Sequence, residues 1–470
     1  MRNFTTIILL LTLLPCLSVQ AQSAEGSWEG VLDVMGTKLP LVFSFEQKDE
    51  IWSGFMDSPS QGAKDIPLTK VLFEDNLLLF EHSAANITFE GILLGDQISG
   101  TFKQGGMSFP LALRKRDTIE TDEIIKPLRP QTPQAPFSYE SKDVSFPNEE
   151  VGLNLYGTLT IPEGEGPFPT IILVTGSGPQ DRNSTIFDHQ SFWVLADFFS
   201  KNGVMVLRYD ERGVGESDGN FASATSEDFK NDAQHAISYL KTLEQVDTSR
   251  IGVLGHSEGG MIAWMMAAEQ KKQPLDFIIS LAAPVVNIPE LMKKQTEDIS
   301  RSSGSPKALV ERQVEINSKF YRLIKDSDDK EMAMEALPAL VQEIVAEYDV
   351  SDEIRKQQEE SLLTTFEKSI NPWFVYFMKY EPEVDIKKIE IPVFAAFGVK
   401  DLQVNAAQNG NRLIELFEGK DELLRLKVYE DLNHLFQKAD TGAISEYQQI
   451  EETFNQKVMD DILGFIKAIK

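Results

Sequence analysis

The sequence predicts an α/β protein, a mostly parallel sheet covered by helices, preceded by a small antiparallel all-β domain. Three observations predict it. From about Gly26 to Arg114 the apolar residues recur with period two. Beyond Pro136, short apolar, β-branched runs alternate with helical stretches. Between the two lies a charged segment carrying Pro127, Pro130, Pro133 and Pro136, which no regular element accommodates.

Residues 1–21 combine Arg2, an apolar run from Ile7 to about Val19 and a small-residue exit at Ala21, the pattern of a secretory signal peptide. The run is short for a bilayer span, and no later stretch approaches about eighteen apolar residues. The protein is therefore expected to be exported, periplasmic or extracellular, and free of the membrane after cleavage. A lipid anchor on Cys16 is the alternative, which Pro15 fits poorly. Cleavage after Ala21 removes the only cysteine and with it any disulfide.

Residues 24–115 alternate, as in Leu39, Leu41, Phe43 and Phe45, between turns at Gln47-Lys48-Asp49, Glu74-Asp75-Asn76, Gly95-Asp96 and Gln104-Gly105-Gly106. About seven or eight antiparallel strands meandering into a small barrel or sandwich fit this spacing. With no cluster of catalytic residue types, the domain reads as a packing unit, a carbohydrate- or partner-binding module, or a flap. Residues 116–137 read as a semi-rigid linker.

In residues 138–470 strands are expected at 138–146, 153–161, 170–174, 204–209, 251–254, 277–281, 393–397 and 424–429. Helices are expected at 190–201, 227–244 behind a Ser226 cap, 258–270, 406–417 and 451–470. The first two strands lack an intervening helix and should form an antiparallel hairpin at one edge of the sheet. Residues 286–388 interrupt the alternation with helical spacing, clear in Leu337, Leu340, Val341, Ile344 and Val345. An insertion that leaves the carboxyl end of a sheet strand sits where ligands bind, and it is expected to form a helical lid.

At 470 residues the chain has room for two or three cores of its own. A net charge of −28 disfavours nucleic acid and an anionic membrane surface as partners.

The chemistry centres on Gly255-His256-Ser257-Glu258-Gly259, placed between the apolar run Ile251 to Leu254 and a helix-forming segment. A serine at such an elbow has its hydroxyl lifted above the sheet, and the flanking glycines relieve the crowding. The chain holds its own control: Gly215-Glu216-Ser217-Asp218-Gly219 has the same pattern, but inside a polar loop with no helix behind it. A serine hydroxyl needs an imidazole to take its proton and a carboxylate to orient that imidazole. Five histidines are available. His82 lies in the β domain, His235 falls within a helix, His256 points away at the turn, and His189 reads as a helix cap or lid contact. His434 follows the last strand, and Asp401 follows the one before it, so the order is Ser257, Asp401, His434. Asp431 is the fallback acid. Oxyanion donors are expected at the backbone of Glu258 and in the loop Thr175-Gly176-Ser177-Gly178, at Ser177 or Gly178. Asp181 and Arg182 read as pocket residues or a structural ion pair. Trp373, Phe374, Tyr376 and Phe377 read as acyl pocket or lid core.

From about Ser138 onward, GHSEGG, RYDERGVGES, GVKDLQV and LNHLF resemble the α/β-hydrolase superfamily. TGSGPQDR, GHSEGG, NPWFVYF and LNHLFQ more narrowly resemble secreted bacterial esterases of the serine aminopeptidase-like branch. The resemblance implies hydrolysis of small-molecule carboxylic esters through an acyl-enzyme, with no metal or cofactor. Thr175-Gly176 stands where many relatives have His-Gly, which leaves the second oxyanion donor open. The alternatives are a serine aminopeptidase or other amide or thioester hydrolase and, from another class, a non-catalytic binding protein on a hydrolase scaffold.

Overall fold

The computed structural model describes residues 23–34, 37–49, 51–59, 63–85, 87–104, 107–116, 128–270, 274–347 and 351–469. The expected signal peptide, Cys16 and part of the expected linker lie outside these residues. The chain divides into two compact units at Ile124/Ile125.

The first unit is one antiparallel sheet: β1 (Gly26–Val34), β2 (Thr37–Lys48), β3 (Ile51–Ser58), β4 (Ala63–Pro67), β5 (Lys70–Glu74), β6 (Leu77–His82), β7 (Ile87–Leu94), β8 (Gln97–Gln104) and β9 (Met107–Lys115). Their order is β4-β3-β2-β1-β9-β8-β7-β6-β5. The two edges, β4 and β5, are consecutive in the chain. Leu68 and Thr69 between them donate backbone hydrogen bonds to Gly54 O and Glu81 O, so the sheet curls round towards closure and is not a sandwich. Its inner face buries Trp28, Phe43, Phe45, Phe80, Phe89 and Phe102 in one cluster, with Phe80 stacked on Phe89 at 4.9 Å. β4 escapes the period-two reading because an edge strand pairs on one side only and tolerates Pro67 and the left-handed Asp65, φ 53°.

The second unit is an α/β-hydrolase fold. Its strands β10 (Glu140–Asn148), β11 (Leu153–Ile161), β12 (Phe168–Val174), β15 (Met205–Tyr209), β16 (Val246–His256), β17 (Phe277–Leu281), β18 (Val393–Gly398) and β19 (Leu424–Tyr429) form one sheet. The order is β10-β11-β15-β12-β16-β17-β18-β19. β10, β11 and β15 pair antiparallel, and all later neighbours pair parallel. A short ribbon, β13 (Thr185–Ile186) and β14 (His189–Gln190), precedes the first helix.

Helices α1 (Ser191–Lys201) and α11 (Gln456–Ala468) cover one face, and α2 (Ser226–Leu240) and α3 (Glu258–Ala268) the other. Successive residues of β12 serve opposite cores, Ile171 and Leu173 one, Ile172 and Val174 the other, which is why such strands read as unbroken apolar runs. The N-cap of α2 is Thr225, whose backbone and hydroxyl both donate to Asp228 Oδ2. Ser226, expected as the cap, instead turns its hydroxyl to Glu258.

Residues 286–388 hold α4 (Ile288–Ser302), α5 (Lys307–Asp326), α6 (Lys330–Ala346), α7 (Asp352–Ser369), α8 (Pro372–Lys379) and α9 (Pro382–Ile386); α10 (Ala406–Leu416) follows β18. The apolar side chains of this insertion, among them Phe320, Leu337, Val341 and Phe377, join the same core as α2 and α3. Residues 128–137, expected as linker, are docked on this unit. Arg129 donates to Phe187 O, Gln448 O and Ile450 O at 2.9, 2.8 and 2.9 Å, and Gln131 bonds the backbone of Thr453 and Phe454. Prolines bar regular structure there, but side-chain bonds to backbone carbonyls do not need it. No helix among the described residues is long and apolar enough to cross a membrane.

Candidate active site

β16 ends at His256, α3 begins at Glu258, and Ser257 between them has φ 56° and ψ −118°. A non-glycine residue at positive φ stores strain that the packing around it must impose. The packing is visible at both glycines. A Cβ on Gly255 would lie 2.0 Å from Gly259 O, and one on Gly259 would lie 2.0 Å from Val174 O. The rival Ser217 is a buried structural residue: its hydroxyl donates to Asp210 O at 2.7 Å and accepts from Tyr156 N at 2.9 Å.

The parallel register aligns the carboxyl ends of β16, β17, β18 and β19, pairing His256 with Leu281, Leu281 with Ala396, and Gly398 with Tyr429. Ser257, Asp401 and His434 all follow this edge. His434 Nδ1 lies 2.7 Å from Asp401 Oδ2, both residues buried. The other oxygen of Asp401 accepts from the backbone N–H of Gln403 and Val404 at 2.7 and 2.8 Å. The carboxylate is thereby fixed as an acceptor and holds a proton on Nδ1, leaving Nε2 as the base. Asp431, the fallback acid, is not bonded to His434.

His256 is half-buried, and its pKa is pushed down to about 3, by desolvation first and then by His434. Neutral, its Nε2 donates to His434 O at 2.7 Å, and the two rings lie 4.8 Å apart. It is therefore a clamp on the base's backbone. His189, expected as a cap or lid contact, is neither: it is buried between Thr453 Oγ1 and Tyr447 O, at 2.9 and 3.0 Å, and burial lowers its pKa.

The loop after β12 lies against the elbow. A Cβ on Gly176 would sit 3.2 Å from Ser257 Cβ, so Gly176 approaches the serine closely, while Gly178 has φ 95° and open space beside it. Two buried carboxyls hold the loop. Glu211 takes the Thr175 hydroxyl at 2.5 Å and Gln180 N at 3.0 Å. Burial pushes its pKa up to about 8, with the charges of Glu258 and Asp232 adding to the rise. The Glu258 side chain, 2% exposed, accepts from Ser226 Oγ at 2.6 Å and Trp373 Nε1 at 2.8 Å, and the Ser177 side chain interacts with the same group. Burial raises its pKa too. Neither side-chain role was legible in the sequence. Glu211 stands within the RYDERG segment, which was its one signal.

Of the six pocket candidates, Asp181 caps its own turn through Thr185. Arg182 is committed to Asp210 and Glu216, each at 2.6 Å. Arg182 holds the loop through these ion pairs, whereas Asp181 is engaged by Thr185 within its own turn. Phe374 packs on Phe320 and Tyr321 inside the insertion. Trp373 faces the elbow. A cavity of about 440 Å³ lined by Met265, Glu269 and Tyr376 is separate from the triad: Met265 is two turns along α3 from Ser257, roughly 12 Å at 1.5 Å per residue. Among the described residues no group of His, Cys, Asp or Glu is placed to hold a metal ion.

The family described as X-Pro dipeptidyl-peptidase (S15 family) matches residues 152–419. Esterase EstD of Thermotoga maritima is 28% identical over 327 residues, 70% of this chain and 67% of its own. Esterase FrsA of an Enterobacter species is 28% identical over 128 residues, 27% of this chain and 28% of its own. Among solved structures, an esterase of Pyrococcus furiosus aligns with TM-score 0.43 and 17% identity, over 71% of this chain and 92% of its own.

Proposed function

Because the chain belongs to the X-Pro dipeptidyl-peptidase (S15) family and is an esterase-like serine hydrolase, we propose that it cleaves carboxylic esters of small to medium acyl chain, outside the cytoplasm, through an acyl-enzyme on Ser257. The observation that carries this reading is the buried 2.7 Å contact of His434 with Asp401, beside a serine held at positive φ. His434 Nε2 takes the Ser257 proton as Oγ attacks the carbonyl carbon. The oxyanion is received by the Glu258 N–H and the loop at Gly176–Gly178. The imidazolium then protonates the departing alkoxide, and water repeats the sequence to release the acid.

The family's name favours a second reading, cleavage of short peptides with a free amino terminus. Such a substrate needs an unengaged carboxylate near the nucleophile. Asp210, Glu211, Glu258 and Asp401 are all engaged by donors of the protein, which supports the ester reading. A panel of nitrophenyl acetate, butyrate and octanoate against aminoacyl and Xaa-Pro anilides separates the two. Esters are expected to turn over at least about a hundredfold faster, and equal anilide turnover would overturn the assignment. Export rests on the pattern of residues 1–21; amino-terminal sequencing of the mature protein should begin at Gln22.

A further inference from the structure

We propose that Glu258 is a positioning residue through which the helical insertion sets the geometry of the oxyanion site; this rests on the serine hydrolase reading above. The backbone N–H of Glu258 is the first of helix α3 and one expected donor. Its side chain interacts electrostatically with Ser177, on the loop expected to supply the other. The same carboxyl accepts from Ser226 Oγ at the start of α2 and from Trp373 Nε1 on α8. Tyr376, three residues on and so on the same face of α8, donates to Glu227 at 3.0 Å. Phe377 stacks on Trp373 at 5.1 Å and fixes the indole. The insertion is therefore fastened to the elbow by a polar latch centred on the residue whose backbone N–H is an expected oxyanion donor. A carboxyl this deeply buried needs all its partners, because each unmade bond leaves an uncompensated polar atom. Removing the indole N–H frees the carboxyl to shift, and a donor displaced by a fraction of an ångström stabilises the oxyanion less.

The test is steady-state hydrolysis of nitrophenyl butyrate by the full chain, with a fluorophosphonate probe to count active Ser257. Trp373→Phe keeps the ring and loses the donor. It is expected to lower kcat about tenfold with KM within about twofold, since the effect falls on the transition state. Glu258→Ala is expected to lower kcat about a hundredfold, and Glu258→Gln, which keeps the acceptor, to recover most of it. The Trp373→Phe/Glu258→Ala double variant should be no worse than Glu258→Ala alone. A rise in KM with unchanged kcat, or additive losses, would show that Trp373 merely lines the pocket and would overturn the proposal. If Glu258→Ala does not fold, the same cycle between Trp373→Phe and Ser177→Ala decides, non-additivity again being required. A wild type that takes no label would sink the hydrolase reading itself, an outcome distinct from a labelled wild type with an inert Trp373→Phe.

Discussion

Ser257 sits at φ 56°, and the glycines two residues before and two after it have no room for a side chain. Gly255→Ala would drive a methyl to 2.0 Å from Gly259 O. We expect it to lower the unfolding free energy by about 3 kcal/mol or more in urea titration. Asp401→Asn preserves shape but offers Nδ1 a donor where it needs an acceptor, which forces the wrong tautomer. The kcat for butyrate ester should fall by about 10⁴-fold while the fold's melting temperature stays nearly constant; a drop below tenfold would point to another acid. At this scale the shared edge of Ser257, Asp401 and His434 was legible because each follows a strand, and position after a strand is readable from local pattern. Glu258 and Glu211 were not readable as scaffolding. Their partners, Trp373 and Thr175, stand far away in the chain, and a buried acid looks like any charged loop residue until its burial is seen.

The loop after β12 shows what the elements add. Its ends, Thr175 and Gln180, are bonded by Glu211, which lies just beyond β15. Because the folded-state pKa of Glu211 is raised from 4.5 to about 8, the folded protein binds the extra proton between these values. Stability must therefore fall as pH rises through that window, by up to about 1.4 kcal/mol per pH unit from this group. Glu211→Gln removes the titration. Subtracting its urea stability from that of wild type at pH 5, 7 and 9 should give a difference that grows less favourable to wild type with pH; a flat difference would show that Glu211 is ionised throughout. Every strand expected in the second unit is present, and its central strands, buried on both faces, announce themselves as apolar, β-branched runs. Edges and caps were less legible. β4 lacks alternation because one of its sides is unpaired, and Thr225 displaced Ser226 as cap because only Thr225 is placed three residues before an acid that can return its hydrogen bond.

For the molecule as a whole, the division at Ile124/Ile125 falls inside the segment expected as linker, and residues 128–137 of that segment are docked on the second unit. Prolines mark where helices and strands stop, but they say nothing of what a side chain such as Arg129 can reach. A protein beginning at residue 125 should keep the ester turnover and melting temperature of the second unit. One beginning at residue 138 loses Arg129 and Gln131 and should melt several degrees lower, as expected for about 2–3 kcal/mol of lost hydrogen bonding to partly buried carbonyls. Equal melting temperatures would refute the docking. The docked segment also decides where mechanical load goes. β10, the next element, is an edge strand held on one side by β11 alone, and tension applied to its leading end would unzip it one rung at a time. With Arg129 and Gln131 fastened to residues 448–454, tension from the amino-terminal side is delivered instead into the segment leading to α11, where several bonds must shear together. The strap acts as a strain relief, and the sheet that aligns the triad lies downstream of it.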